Sequence, residues 1–233
     1  MSRWGAPAKR SRTMKNVILN DVMNNPKVKI FIEKANEQMS ALGYTEHGFR
    51  HAEIVASTAQ HLIEDLGMDG RVAELAGIAG YVHDIGNMIT RQNHGDTSAL
   101  VAYDVLSEMG MDTEEIAILM GAIGNHEEEI GAPTNPVGAA LILADKSDVH
   151  HSRVQNPNPL AFDIHDRVNY AVQQSSLRVD QQNKTINLEL TIDTQSAGVM
   201  DYFEIFLLRM VMSRRAADFF GYKFRLIING VDL

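Results

Sequence analysis

Apolar residues recur every third or fourth position through the first three quarters of the chain and every second position after that, so helices give way to strands. Ile30, Phe31, Ala35, Met39 and Leu42 form the first helical face; it opens at Asn25-Pro26, with Asn as N-cap, and stops at Gly43. A second helix, about 49–66, carries the stripe His51, Val55, Ala59, Leu62 and Leu66. A third opens at Asp69-Gly70 and presents Val72, Leu75, Ala76, Ala79 and Val82. A fourth, about 96–109, places Leu100, Tyr103 and Leu106 on one side. Asp112 or Thr113 caps a fifth, whose Ile116, Leu119, Met120 and Ile123 lead towards His126. Asn135-Pro136 starts a sixth, and a seventh spans about 163–174 beyond the break at Asn156-Pro157-Asn158-Pro159. Leu177–Val179 and Ile186–Ile192 then alternate as half-buried strands do, around a turn at 181–184. A long helix over 199–219 and a last strand over 223–229 complete the pattern. The expected fold is mainly α: a basic, flexible arm over 1–24, a helical bundle over 25–175 and a small ββαβ appendage over 176–233.

Composition narrows the chemistry. Among 233 residues, 45% hydrophobic and 22% charged, there is no cysteine, so thiolate metal sites, iron–sulfur clusters and disulfides are excluded. Any metal must sit on nitrogen and oxygen ligands. The net charge of −9 argues against a nucleic-acid backbone as the main partner, but not against a small phosphorylated molecule beside a cation. No apolar run is long enough to span a bilayer, and the basic arm lacks a secretory core; a cytoplasmic protein, with no membrane partner, is the expectation.

The candidate chemistry centres on Tyr81-Val82-His83-Asp84-Ile85-Gly86-Asn87, an apolar run that delivers an imidazole and a carboxylate side by side. His51 lies on the inward stripe of the preceding helix, His94 in the following loop, and His126 at the end of another inward stripe. Asp145 follows Leu141-Ile142-Leu143-Ala144, where burying an unpaired carboxylate is costly and a cation compensates it. In this order the six residues, with the contexts His51-Ala52-Glu53-Ile54-Val55, His83-Asp84-Ile85-Gly86 and Ala144-Asp145-Lys146, resemble the HD-domain superfamily of metal-dependent phosphohydrolases over about 45–153.

The resemblance implies that His51, His83, Asp84 and Asp145 hold one metal, and that Asp84 bridges to a second carried by His94 and His126. It implies two divalent ions, iron or manganese ahead of magnesium, zinc or nickel, and a bridging hydroxide that attacks a phosphomonoester or phosphodiester. A nucleotide-like substrate is the expectation. Asn87 stands where many relatives have lysine, and the Gly-Tyr-Pro signature of cyclic di-GMP phosphodiesterases is absent from 127–137, so that substrate is not assigned. Lys146 is a candidate to touch a phosphate oxygen, with a solvated lysine or a salt bridge to Asp148 as the alternatives. His150 and Arg153 line the pocket or form a surface cluster. His47 and Glu127 are candidates for the shell behind the ligands, Glu127 orienting His126. Tyr202, Phe203 and Phe206 read as core or as a homodimer face. A di-iron oxygenase on the same fold would share the ligands, and a non-catalytic, metal-stabilised sensor or assembly module is the third reading.

Overall fold

The computed structural model describes residues 15–128 and 131–233; the expectations that fall on 1–14 and on Glu129 lie outside the described residues. Its helices are α1 (Leu19–Met23), α2 (Pro26–Ala41), α3 (Phe49–Asp65), α4 (Gly70–Val82), α5 (His94–Met109), α6 (Thr113–Gly124), α7 (Pro136–Ser147), α8 (Ile164–Ala171) and α9 (Val199–Phe219). The strands are β1 (Val172–Asp180), β2 (Thr185–Ile192), β3 (Lys223–Ile228) and β4 (Val231–Asp232). Capping chemistry accounts for the starts: Asn25, Asp69, Asp112 and Asn135 each accept backbone N–H groups of the first turn.

The bundle wraps around α7, in which every residue from Val137 to Ser147 is buried, as expected of a helix that is apolar all round. Helices α3, α4, α6 and α9 and the strand β1 contact it. α3 and α4 approach so closely that a Cβ on Gly80 would lie 2.8 Å from the Cα and N of Ala56. That approach lines up His51, five residues before Ala56, with His83, three residues after Gly80. A second close approach brings in α5: a Cβ on Gly86 would meet the Ser98 nitrogen at 2.5 Å, and the Gly86 N–H donates to Ser98 Oγ at 2.8 Å.

The sheet order is β1-β2-β3-β4, with β2 and β3 parallel across the α9 crossover and the other pairs antiparallel. Leu188, Leu190 and Ile192 of the sheet and Tyr202, Phe206 and Met210 of α9 build a second core, so Tyr202 and Phe206 belong to the interior.

Several local expectations change. Helix α1, with Val22 buried, lies within the stretch read as an arm. On α5 the buried side is Ser98, Ala99, Ala102, Val105 and Leu106, while Leu100 and Tyr103 are exposed, because small residues permit the close packing against the Ile85–Met88 turn. Residues 172–174 belong to β1 rather than to the seventh helix; pairing of Val172 with Ile192 overrides the local helical pattern. The short strand β4 adds an element to the expected ββαβ order.

Candidate metal centre

Six side chains from five helical segments meet at one point. His51 comes from the first turn of α3 and His83 caps the end of α4. Asp84 follows at the start of the Ile85–Met88 turn, His94 begins α5, His126 lies just past α6, and Asp145 is in the last turn of α7. All six are buried.

The donor atoms fall into two groups that share Asp84. His51 Nε2 lies 3.3 Å from His83 Nε2, 3.3 Å from Asp145 Oδ1 and 3.6 Å from Asp84 Oδ2; His83 Nε2 lies 3.3 Å from Asp84 Oδ2 and 3.6 Å from Asp145 Oδ1. The other Asp84 oxygen, Oδ1, is 3.2 Å from His94 Nε2 and 3.9 Å from His126 Nε2, and these two nitrogens are 3.1 Å apart.

The outer ring nitrogens determine what the inner ones offer. His51 Nδ1 donates to Asp148 Oδ2 at 2.7 Å, His83 Nδ1 to the Gly80 carbonyl at 2.8 Å and His126 Nδ1 to the Ile123 carbonyl at 2.6 Å. His94 Nδ1 has the Arg91 carbonyl at 3.2 Å and Glu127 Oε1 at 3.4 Å. With an acceptor behind each ring, a neutral imidazole carries its proton on Nδ1 and turns its Nε2 lone pair inward, as a metal ligand requires. Lone pairs on nitrogens 3.1–3.3 Å apart repel, and a cation between them would relieve that repulsion. The residues fit divalent ions on nitrogen and oxygen donors. Groups of three ligand atoms that could hold an ion are formed by His51, His83 and Asp145, and by His83, Asp84 and His126.

Electrostatics agree. Burial raises the Asp84 and Asp145 carboxyls, but His83 beside Asp84 and Lys146 beside Asp145 outweigh it and hold both well below the usual range. Burial lowers the His83 imidazole, yet Asp84 and Asp145 carry it up to about 10: these carboxylates demand a positive charge there. Burial, then His94 and His83, push His126 down to about 3, keeping it neutral as a ligand must be.

The neighbours differ from expectation in detail. Lys146 is buried and donates to Asp145 Oδ2 at 2.5 Å and pairs with Glu128 at 3.1 Å, rather than being solvated or paired with Asp148. Glu127 stands beside His94 rather than orienting His126, and accepts the Gly95 N–H at 2.7 Å at the start of α5. His47 packs its ring 5.5 Å from that of His51 and is tied through Nδ1 to the Thr45 carbonyl. Arg153 is buried, donating to the carbonyls of Glu46 and Asp148. His150 lies apart, in a groove of about 710 Å³ between α3 and β1.

Four residues carry weight that sequence reading missed. Asp148 locks His51 and receives both Arg50 Nη atoms at 3.0 Å. Asn87 donates to Asp84 Oδ1 at 2.9 Å and accepts from Arg91 Nη1 at 3.3 Å, so the residue in place of lysine holds the shared carboxylate. Arg91 Nη1 is also 3.3 Å from His94 Nε2. Arg209 of α9 reaches Glu128 at 3.0 Å. His47, Arg91, Arg153 and Arg209 line a pocket of about 380 Å³ between the bundle and α8–α9. The only signal for Arg91 was its place four residues after Asn87; for Arg209 there was none.

Residues 48–154 match the family model described as the HD domain. An uncharacterized protein of Methanocaldococcus jannaschii is 26% identical over 216 residues, covering 81% of this chain and 81% of that protein. Ribonuclease Y of Lawsonia intracellularis is 33% identical over 105 residues, covering 45% of this chain and 18% of that protein. Among the described residues no helix is long and apolar enough to cross a membrane.

Proposed function

Residues 48–154 form an HD domain, the module of a superfamily of metal-dependent phosphohydrolases, and from that premise we propose that this protein hydrolyses a phosphoester with a pair of divalent ions. The observation that carries the reading is the division of Asp84: one oxygen belongs to the group of His51, His83 and Asp145, the other to that of His94 and His126. A single structural ion would need only the first group.

His51, His83, Asp84 and Asp145 would hold one ion, and Asp84, His94 and His126 the other. Ions of the iron, manganese, magnesium, zinc or nickel kind supply Lewis acidity towards a phosphoryl oxygen and acidify water near neutral pH. The protein supplies the rest. Asp148 and the carbonyls of Gly80, Arg91 and Ile123 fix the imidazole tautomers. Asn87 orients Asp84, and Lys146 engages Asp145 Oδ2 while Oδ1 stays with the histidines. Arg91 and Arg209 bring positive charge to the adjacent pocket, where phosphate oxygens can be bound. Similarity to Ribonuclease Y suggests a phosphodiester in RNA as a second reading, which the net charge of −9 disfavours.

Metal analysis of protein purified without added ions, together with phosphate release from a panel of monoesters and diesters, tests the proposal. Two ions per chain, falling to one in His94→Ala, with turnover under anaerobic conditions, is the expected result. Two irons with substrate-dependent dioxygen uptake and no phosphate release would replace it with an oxygenase.

A further inference from the structure

The pocket beside the centre is lined by both guanidinium and acceptor side chains. Next to the centre, the Arg91 guanidinium lies 5.5 Å from the centre of the Tyr44 ring and 3.3 Å from His94 Nε2. Arg209 lies 4.6 Å from the centre of the Phe206 ring. To the same pocket α8 contributes Asp166 and Asn169, both buried. Asp166 Oδ2 accepts from Asn156 at 3.3 Å, and Asn169 uses its amide N–H on the His165 carbonyl at 2.9 Å. What these two residues retain for a ligand are acceptors, Asp166 Oδ1 and Asn169 Oδ1.

We propose that this pocket binds a small phosphomonoester whose organic part carries hydroxyl groups, a sugar or nucleoside monophosphate. The phosphate lies towards Arg91 and Arg209, and the hydroxyls donate to Asp166 and Asn169. The assignment rests on the phosphohydrolase reading and narrows it. A buried carboxylate rejects a ligand that offers it no donor, because its acceptor is then left unpaired. The volume of about 380 Å³ suits one small molecule. Asp166 and Asn169 are then the specificity-determining residues, and both lie beyond the residues that match the HD domain.

The test compares kcat/KM for ribose 5-phosphate and adenosine 5′-monophosphate with that for phenyl phosphate, using full-length, manganese-loaded protein. Wild type should favour the hydroxylated esters, and Asp166→Asn should reduce the ratio by about tenfold or more. Asn169→Leu, which removes the neighbouring acceptor, should reduce it in the same direction and guards against misfolding of the first variant. Calorimetry with ribose 5-phosphate and with inorganic phosphate reads the pocket without turnover, and the ratio of their affinities should fall in both variants. Ratios unmoved by either substitution would overturn the proposal, as would a higher kcat/KM for an oligoribonucleotide than for the monoesters. No turnover of any ester, with the binding discrimination intact, would support the pocket assignment and reject the hydrolase reading alone.

Discussion

Replacing Asp148 with Asn separates what the metal ligands do from what holds them. Asp148 is 4% exposed and collects four charged or polar contacts: both Arg50 Nη atoms at 3.0 Å, His51 Nδ1 at 2.7 Å and Arg153 Nε at 3.6 Å. Burial raises its carboxyl, but Arg153, His51 and Arg50 outweigh it and hold it ionised far below the usual range. Asn keeps the shape, removes the charge and sets an NH₂ group against a donor of either Arg50 or His51. Breaking a buried pair costs about 3–5 kcal/mol when the remaining charge stays dry. The Arg50 side chain is 29% exposed and can rehydrate, but Arg153 is buried and cannot, so the expected loss stays at about 3 kcal/mol. His51 meanwhile loses the acceptor that fixes its tautomer, and such losses behind a metal ligand lower affinity about 10–100-fold. Urea unfolding of ion-free protein reads the first effect, and calorimetric titration with manganese reads the second. Only the ion held by His51, His83 and Asp145 should weaken by that factor; the one at His94 and His126 should change much less. Arg50→Gln is the control: it should cost stability while leaving the His51–Asp148 bond and manganese affinity largely in place. If Asp148→Asn destabilises the fold but binds manganese as wild type does, Asp148 is only the partner of Arg50 and Arg153 and the account of His51 is wrong.

Two further outcomes follow from packing and charge. Gly80→Val puts side-chain atoms against the Ala56 backbone, where even a Cβ lies at 2.8 Å; it should cost about 1–3 kcal/mol or more and weaken manganese binding by moving His51 from His83, whereas Gly70→Ala, with nothing within 4 Å, should do neither in urea melts and titrations. For Glu128, burial raises the carboxyl but Lys146 and Arg209 outweigh it, taking it from 4.5 to about 2. A folded pKa below the unfolded one gives stability that is present above about pH 4.5 and lost as pH falls towards about 2, so Glu128→Gln should flatten that stretch of the stability–pH curve; curves of equal slope would show the pair with Lys146 and Arg209 to be energetically silent.

The convergence of the six candidate side chains was legible in the sequence because two independent constraints act on the same residues. Helical periodicity placed His51 and His126 on or beside inward stripes, and burial after Leu141–Ala144 forced a compensating partner on Asp145. Periodicity identifies a face, however, and not what the face meets. On α5 the larger apolar residues Leu100 and Tyr103 point to solvent, because the helix turns Ser98 to Gly86 in the close backbone approach that brings His94 to Asp84. The same limit hid the shell around the ligands. Glu127 looked equally able to serve His126, its chain neighbour, and only the α5 approach puts it on His94. Arg209 lies 64 residues beyond Asp145 yet joins it through Glu128 and Lys146, a chain of charges that exists only once α9 docks on α7. The ligand set therefore rests on residue type and local pattern, whereas the charges that would choose a substrate depend on how the C-terminal elements pack against the bundle. That difference explains why the match to the HD domain is confined to residues 48–154 while the proposed selectivity rests on residues outside them.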